Sequence, residues 1–446
     1  MSLRLKLLQG GAWLTIGFVI TTVIQMIVNI ALVRILPPPV LGDYYLIINI
    51  VNFLVILGTL GMSQTILKLI PAWISNFRYD LAKQYFYKSI RLCMLSSLIV
   101  SIAFFIVFAE ISSSFFYNSF SAGWILLIIA LFIVMVLQGI LNAMLRSFHN
   151  LKSMVILSDI FPKLLVLLGL TILWAYSYNS LLPYLLSLLI FASVVSVIMM
   201  YLKIKTHLNM NSESSRNNIE QGIVTLALPL WITSLMLYLL TSGDIWIIGY
   251  FLTTSDVAVY GSVLKLIILL NLSFNLIITV VTPVISELYH KQELKKLESL
   301  LRITATLSSI PALIIGCIFF IYGEFLLGFI FGEFYVSGSI VLNIISIGIV
   351  VNILTGPCGT VLMYTNNQKL MMYITVISGT ITIILSLMLV NIYGIAGVAI
   401  ASCLGMILQN ALMFYSVRRK LGVWTHFSIF ELKKIGLIRG LSSDHV

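Results

Sequence analysis

Three basic residues of this chain lie inside long apolar stretches: Arg34, Lys163 and Lys265. A charge near the centre of a bilayer costs at least about 2.5 kcal/mol, so each cation needs water, a carboxylate or an anionic ligand. Asp244 and Lys265 would lie at similar depth in an antiparallel hairpin of two helices, where they can pair. Two interpretations stay open: a pair that orients two helices, or the wall of a water-filled cavity that binds an anionic substrate or a coupling proton.

A second acid and base lie close together in the sequence. Asp159 and Lys163 are four residues apart, hence neighbours on one helix face, and Pro162 loosens the backbone between them. Asp159 is either a solvated residue near the membrane surface or a carrier of the coupling ion. Arg34 either extends its side chain to the interface or pairs with Asp43.

Amide side chains also recur at helical spacing. Any single polar stripe is more often an interhelical hydrogen-bond partner than a transport path, but several stripes in one bundle predict a wet central cavity. The two longest stripes are Gln138, Asn142 and Arg146, and Asn271, Asn275 and Thr279.

The composition requires that these residues be positioned by membrane-spanning helices. Of the 446 residues, 60% are hydrophobic and only 9% are charged, which makes lipid the solvent. The net charge of +11 comes from short clusters between apolar runs, which excludes a nucleic-acid-binding face. No phosphate-binding loop, dinucleotide fingerprint or nucleophile elbow is present, and the five histidines lack metal-ligand spacing. We therefore expect no enzyme activity, no cofactor and no metal.

Twelve apolar runs are long enough to cross a bilayer. Their approximate bounds are 11–35, 41–62, 89–110, 122–145, 154–176, 181–202, 223–251, 257–283, 303–323, 338–363, 371–391 and 395–416. With the N-terminus inside, every Lys and Arg except the three intramembrane cations falls in a cytoplasmic segment, which places the C-terminus inside as well.

The only long polar interruption divides the runs into two sets of six. We predict an N-terminal six-helix bundle (1–205), a cytoplasmic linker (206–221), a C-terminal six-helix bundle (222–420) and a cytoplasmic tail (421–446). Short matches at the second span of each half, such as Asp43-Tyr44 and Val259-Tyr260, suggest a duplication with parallel repeats. The fold class is an all-α polytopic membrane protein with two bundles around a central cleft.

Several short runs, in order along almost the whole chain, resemble one family. The chain is similar to the oligosaccharide-lipid flippases of bacterial polysaccharide synthesis, the O-antigen-unit type, within the multidrug/oligosaccharidyl-lipid/polysaccharide exporter superfamily. Arg34 with the following Pro37, then Gly42-Asp43-Tyr44, looks like that family's signature at the end of span one. The other similar runs are residues 60–62, 143–146, 228–230, 331–335 and 393–399.

The resemblance implies a cationic lumen that grips the pyrophosphate and sugars of a polyprenyl-linked repeat unit while the polyprenyl tail stays in membrane lipid. The implied partners are this substrate, H⁺ or Na⁺, and a polysaccharide polymerase with a chain-length regulator, in the inner membrane of the cell. Asp244 and Asp159 are the candidate ion-coupling residues. The candidate substrate-binding residues are Lys265, Arg146, Lys68, Lys163, Arg34, Asn142 and Asn275.

Two other functions compete with this expectation. A multidrug or metabolite cation antiporter would use the same fold, but internal cations favour an anionic substrate. A scaffold or polymerase-like envelope protein is less favoured, because the external loops are short and contain no Lys or Arg.

Overall fold

Helices make up all the regular structure of the described chain. The structure, a computed structural model, describes residues 3–75, 78–115, 122–148, 150–176, 181–209, 223–428 and 430. An apolar chain in lipid has to satisfy its backbone N–H and C=O groups internally, and a helix does so within one segment. The all-α polytopic membrane fold predicted from the sequence is confirmed.

The helices follow one another with short connections. Those before the linker are α1 (Leu3–Ile35), α2 (Pro38–Thr59), α3 (Met62–Ser75), α4 (Tyr79–Phe115), α5 (Ala122–Ser147), α6 (Leu151–Met154), a π-helical turn (Val155–Ile160), α7 (Phe161–Tyr176) and α8 (Leu181–Asn209). Those after it are α9 (Ile223–Phe251), α10 (Thr254–His290), α11 (Leu294–Ile330), a 3₁₀ turn (Glu333–Gly338), α12 (Ser339–Thr355), α13 (Cys358–Tyr364) and α14 (Gln368–Leu421).

The last helix, α14, is a hairpin of two spans. Gly394 has φ 58° and ψ −138°, values that no regular helix contains, and the chain reverses there. The two arms pack along each other, since the Gln409 side-chain N–H donates to Thr375 Oγ1 at 3.2 Å. A Cβ on Gly405 would overlap the hydroxyl of Thr382 on the other arm. The arms correspond to the predicted spans 371–391 and 395–416.

The number of spans agrees with the sequence. Among the described residues, ten helices are long and apolar enough to cross a membrane. An eleventh span is α9, which bends by 47° between Leu230–Leu239 and Thr241–Phe251. Because α14 supplies two spans, the total is the twelve that the apolar runs predict.

Two predicted spans end earlier than the apolar runs suggest. The run 41–62 is helical only to Thr59, where Leu60 and Gly61 adopt positive φ values of 47° and 72°. The run 338–363 is interrupted at Gly356, whose φ is 81°. In both places the composition stays apolar while the backbone leaves the helix, so counting apolar residues misses the break.

The chain forms two compact units. The first comprises Met1–Ile245 and Thr253–Ala258, and the second comprises Trp246–Leu252 and Val259–Val446. The boundary between the units therefore falls inside α9. Most of the predicted linker and the tail beyond residue 430 lie outside the described residues, and the domain bounds drawn from the sequence remain predictions.

Each unit has its own buried core. In the first, the largest fully buried side chains include Tyr85, Phe86 and Phe132 from α4 and α5. In the second, α10, α11, α13 and α14 share a cluster that contains Ile285, Leu301, Val361 and Val417. The candidate charged residues are carried by helices that these cores hold in place.

Candidate functional site

Span five contains a π-helical turn (Val155–Ile160) at the point where proline removes a donor. Pro162 has no N–H, so it cannot donate to a carbonyl of the preceding turn. In an α-helix that carbonyl would be Ser158 O, and in π spacing it would be Leu157 O. Phe161 donates to Ile156 O with π spacing, the last such bond before the proline.

Side chains of two neighbouring helices donate to both of the carbonyls that an N–H at position 162 could otherwise reach. From α5, Gln138 Nε2 donates to Ser158 O at 3.2 Å, and from α8, Ser196 Oγ donates to Leu157 O at 2.6 Å. Asn142 Nδ2 donates to the hydroxyl of Ser158 at 3.0 Å. The two amides of the predicted α5 stripe thus make interhelical hydrogen bonds to this turn.

Charged side chains gather around the same turn. Asp159 lies on it and interacts electrostatically with Lys163 and with Arg146. Asp159 and Lys163 are partly buried, whereas Arg146 is exposed at the end of α5. We call Asn142, Arg146, Asp159 and Lys163 the π-turn site. Two cations that outnumber one carboxylate can attract an anion, and the carboxylate can exchange a proton or bind a cation.

Two further predicted residues of the first unit are exposed. Lys68 is exposed on α3, and the end of α5 contacts this helix, since Ser147 Oγ donates to Ile66 O at 3.3 Å. Arg34 is exposed at the end of α1, whereas Asp43 is fully buried on α2. Lys68 and Arg34 are therefore accessible, and the pairing of Arg34 with Asp43 stays a prediction.

The remaining predicted residues are distributed over both units. Lys265 is partly buried on α10, between the buried residues Val263 and Leu266, and belongs to the second unit. Asn275 is exposed two to three turns further along the same helix. Asp244 is part of the first unit, and its pairing with Lys265 stays a prediction.

A groove between α11 and α12 of the second unit contains none of the predicted site residues. It has a volume of about 290 Å³ and is lined chiefly by apolar side chains such as Leu313, Phe320, Ile347 and Val350. Most of these lining side chains are exposed on helices of membrane length, so the groove faces hydrocarbon rather than a polar ligand. Within the described ranges, no cluster of three His, Cys, Asp or Glu side chains could hold a metal.

A row of polar contacts between α9 and α2–α3 was not found from the sequence. Trp231 Nε1 donates to Ile56 O at 2.8 Å, and Tyr238 OH donates to Asn49 O at 2.7 Å. On α3, Gln64 Nε2 donates to Ser234 Oγ at 2.9 Å. The sequence does contain a signal for this row of contacts, because residues 231, 234 and 238 lie on one face of α9 at helical spacing. Ser158 and Ser196 were also missed, although Pro162 lacks the N–H that would donate to a carbonyl of the preceding turn.

Comparisons with known proteins place this arrangement in a family. The family model described as "Polysaccharide biosynthesis protein" matches residues 7–289, and the model "MatE" matches residues 229–388. No curated protein matches the chain in sequence.

Solved structures share the fold at low sequence identity. An inward-facing multidrug resistance MATE family transporter of the MOP superfamily is 14% identical, with a TM-score of 0.70, over 90% of this chain and 94% of that one. The lipid II flippase MurJ, in an inward closed conformation, is 14% identical, with a TM-score of 0.72, over 95% of this chain and 89% of that one.

A third structure is a MOP superfamily transporter from Pyrococcus furiosus, for which reverse polarity of the binding pocket suggests a different function. It is 14% identical, with a TM-score of 0.66, over 93% of this chain and 95% of that one. These structures show the MOP fold, and the first family model covers more than half of the residues. The twelve-span chain with a charged turn in span five therefore belongs to the polysaccharide biosynthesis protein family.

Proposed function

We propose that this protein flips a polyprenyl-pyrophosphate-linked oligosaccharide repeat unit from the cytoplasmic to the outer leaflet of the inner membrane, by alternating access. The observation that carries the proposal is the π-turn site, in a chain that belongs to the polysaccharide biosynthesis protein family. Its two cations outnumber its one carboxylate, which suits a pyrophosphate better than a cationic drug. The likeness to the lipid II flippase, whose substrate is also lipid-linked, supports the same class.

The proposed roles follow from where each side chain lies. Arg146, exposed at the end of α5, and Lys68, exposed on α3, attract the head group at the cytoplasmic mouth. Lys163, Lys265 and Arg34 hold it at greater depth, and Asn142 and Asn275 contribute hydrogen bonds. Asp159 and Asp244 exchange the coupling H⁺ or Na⁺, since an ion gradient is the energy source that a chain without a nucleotide-binding motif can use.

The proposed setting is that of envelope polysaccharide synthesis. Both termini lie in the cytoplasm, as the distribution of Lys and Arg predicts. The repeat unit, O-antigen in a lipopolysaccharide-producing cell, then passes to a polymerase and its chain-length regulator on the outer side. No cofactor is required.

The test replaces the cations singly in cells that depend on this protein for surface polysaccharide. Arg146→Ala and Lys265→Ala should each lower surface polysaccharide at least about tenfold, because a lost charge-assisted contact costs about 1.5–3 kcal/mol. Arg419→Ala, which removes an exposed cation at the end of α14, is the matched control and should leave it unchanged. Normal polysaccharide in both cation variants, at normal protein levels, would overturn the proposal.

A second candidate is a cation antiporter, favoured by the MatE model match over residues 229–388 and by the likeness to the MATE transporter. It predicts the opposite pattern of sensitivity. Asp244→Asn would abolish efflux of a cationic dye from everted vesicles, while Lys265→Ala would spare it. Dye efflux that survives Asp244→Asn, or that never exceeds the background of empty vesicles, removes this candidate.

A further inference from the structure

Gln138 and Ser196 lie on different helices, yet their hydrogen bonds compensate for one missing donor, the N–H of Pro162. We propose that these two residues are positioning residues that hold the π-helical turn and so set the position of the Asp159 carboxylate relative to Arg146. The inference rests on the proposed function, because that function gives the charged residues their task. Neither Gln138 nor Ser196 needs to contact the substrate.

A carbonyl without a donor is costly in a buried part of a helix bundle. Ser158 and Ser196 are buried, so the loss of either donor would destabilise the turn. Ser158 O accepts from Gln138 of α5, and Leu157 O accepts from Ser196 of α8. The Ser158 hydroxyl in turn donates to Met154 O at 2.8 Å. Without these donors the turn would have to change its hydrogen-bond pattern.

A change in the hydrogen-bond pattern of the turn would move Asp159. A π turn holds more residues per turn than an α-helix, so conversion to α-helical spacing removes about one residue, a rotation of about 100°, from the segment. Lys163 stays a neighbour of Asp159 at i, i+4 spacing, but Arg146 lies on α5 and is not carried along with the turn. The relation of the carboxylate to Arg146 therefore depends on the turn.

A contact on the opposite side of the turn reports on its conformation. Val155, the first residue of the turn, packs directly on Gly17 of α1: a Cβ placed on Gly17 would lie 2.4 Å from Val155 Cγ1 and 3.2 Å from its Cβ. A rotation of the turn would carry Val155 away from α1. Cysteines at these two positions would be close to the Cβ separation of a disulfide, about 3.5–4.5 Å.

The first experiment uses rescue. Gln138→Leu should lower oligosaccharide transport per folded protein about tenfold, the effect of one unsatisfied buried carbonyl. Adding Pro162→Ala restores a backbone N–H that can donate to Ser158 O, the carbonyl freed by Gln138→Leu, and should bring transport back to within about twofold of wild type. Gln409→Leu is the matched control, because its amide bonds the Thr375 hydroxyl rather than a free carbonyl, and Pro162→Ala should not rescue any loss it causes.

The second experiment does not depend on transport. In a Cys317→Ser background, which removes the one exposed thiol among the four cysteines, Gly17→Cys with Val155→Cys should cross-link readily under copper phenanthroline. Gln138→Leu and Ser196→Ala should lower the cross-linked fraction of folded protein severalfold, which a merely stabilising role would not do. Unchanged cross-linking, or absence of the proline rescue, overturns the inference. If the double-cysteine protein cross-links as expected and loses the cross-link with Gln138→Leu, but the unsubstituted protein does not flip the oligosaccharide, the proposed function alone is overturned.

Discussion

Two breaks in the described helices, one after α2 and one after α12, are stabilised in different ways. The first break, at Leu60 and Gly61, separates α2 from α3 in the first unit. The second break, at Gly356 and Pro357, separates α12 from α13 in the second unit. Each break leaves carbonyls without their helical donors, so each needs hydrogen bonds from elsewhere.

At the first break the donors come from other spans. Trp231 of α9 donates to Ile56 O at 2.8 Å, and Ser96 of α4 lies 3.4 Å from Leu57 O. Gly61 admits this close approach, since a Cβ there would lie 2.6 Å from the carbonyl of Ala227.

At the second break the donors come from the strap, residues 423–428, which follows the last span. Phe427 N donates to Leu354 O at 2.8 Å, and Thr425 Oγ1 donates to Thr355 O at 2.7 Å. The end of the strap is held on α11, where Ser428 N donates to Thr306 Oγ1 at 3.0 Å.

Because their donors come from different parts of the chain, the two breaks are sensitive to different changes in the protein. The first is tied to α9, the helix that both compact units share, so it is sensitive to movement of that helix. The second is tied to a short segment outside the spans, so it can be altered by changes that leave every span intact. The predictions below test this contrast.

The largest effect is expected for Gly356→Ala at the second break. The residue has φ 81°, and a Cβ would lie 2.1 Å from the backbone oxygen of Thr425. Strain and clash together should cost more than about 3 kcal/mol and strongly reduce the yield of folded protein. Gly422→Ala, with φ 73° and open space around it, should cost only about 1–2 kcal/mol. Equal melting temperatures for the two variants, measured in detergent, would contradict this.

Removal of the strap should have the next largest effect. A chain that ends after Gly422 loses the donors to Leu354 O and Thr355 O, and two unsatisfied carbonyls should cost about 2–6 kcal/mol. A chain that ends after Phe430 retains the strap and is the control. We expect a lower melting temperature for the shorter chain only; a matching drop in the control would place the effect beyond residue 430.

At the first break, Trp231→Phe should have a moderate effect. The substitution keeps an aromatic ring but removes the donor to Ile56 O, a loss of about 1–3 kcal/mol. Trp174→Phe, at a position 71% exposed, should change stability by less than about 0.5 kcal/mol. If thermal unfolding shows the two variants to be alike, the α9 contact does not stabilise this break.

The smallest effect is a pH dependence of the strap. Burial lowers the pKa of His426 below its usual value of 6.5, the positive Arg302 lowers it further, and Glu298 opposes the shift. The unfolded strap therefore binds a proton more readily, so stability is present above about pH 6.5 and falls as the pH drops towards the folded pKa. Melting temperatures from about pH 7.5 to 5.5 should decline slightly in wild type and stay flatter in His426→Gln. A slope that the substitution leaves unchanged would assign the dependence to another group.

Much of this fold follows from local sequence signals. The predicted spans 223–251 and 122–145 agree closely with α9 and α5, because the apolar runs there end in polar residues. The i, i+4 spacing of Asp159 and Lys163 correctly placed them as electrostatic neighbours.

What sequence reasoning missed depends on contacts between distant segments. The donors Gln138 and Ser196 lie 24 residues before and 34 residues after Pro162, and no local pattern links them to it. The break at Gly356 is stabilised by Thr425, 69 residues later, in a segment beyond the last of the predicted apolar runs.

The reversal at Gly394 has a consequence for how the protein is made. The two arms of α14 are joined without a loop, and Gly397 lies so close to Leu389 that a Cβ would be 2.3 Å from the Leu389 carbonyl. Neither arm can therefore settle in lipid long before the other, and the pair should leave the ribosome-bound insertion machinery together as one unit. An epitope placed at this turn would separate the arms and hinder their joint entry into the bilayer.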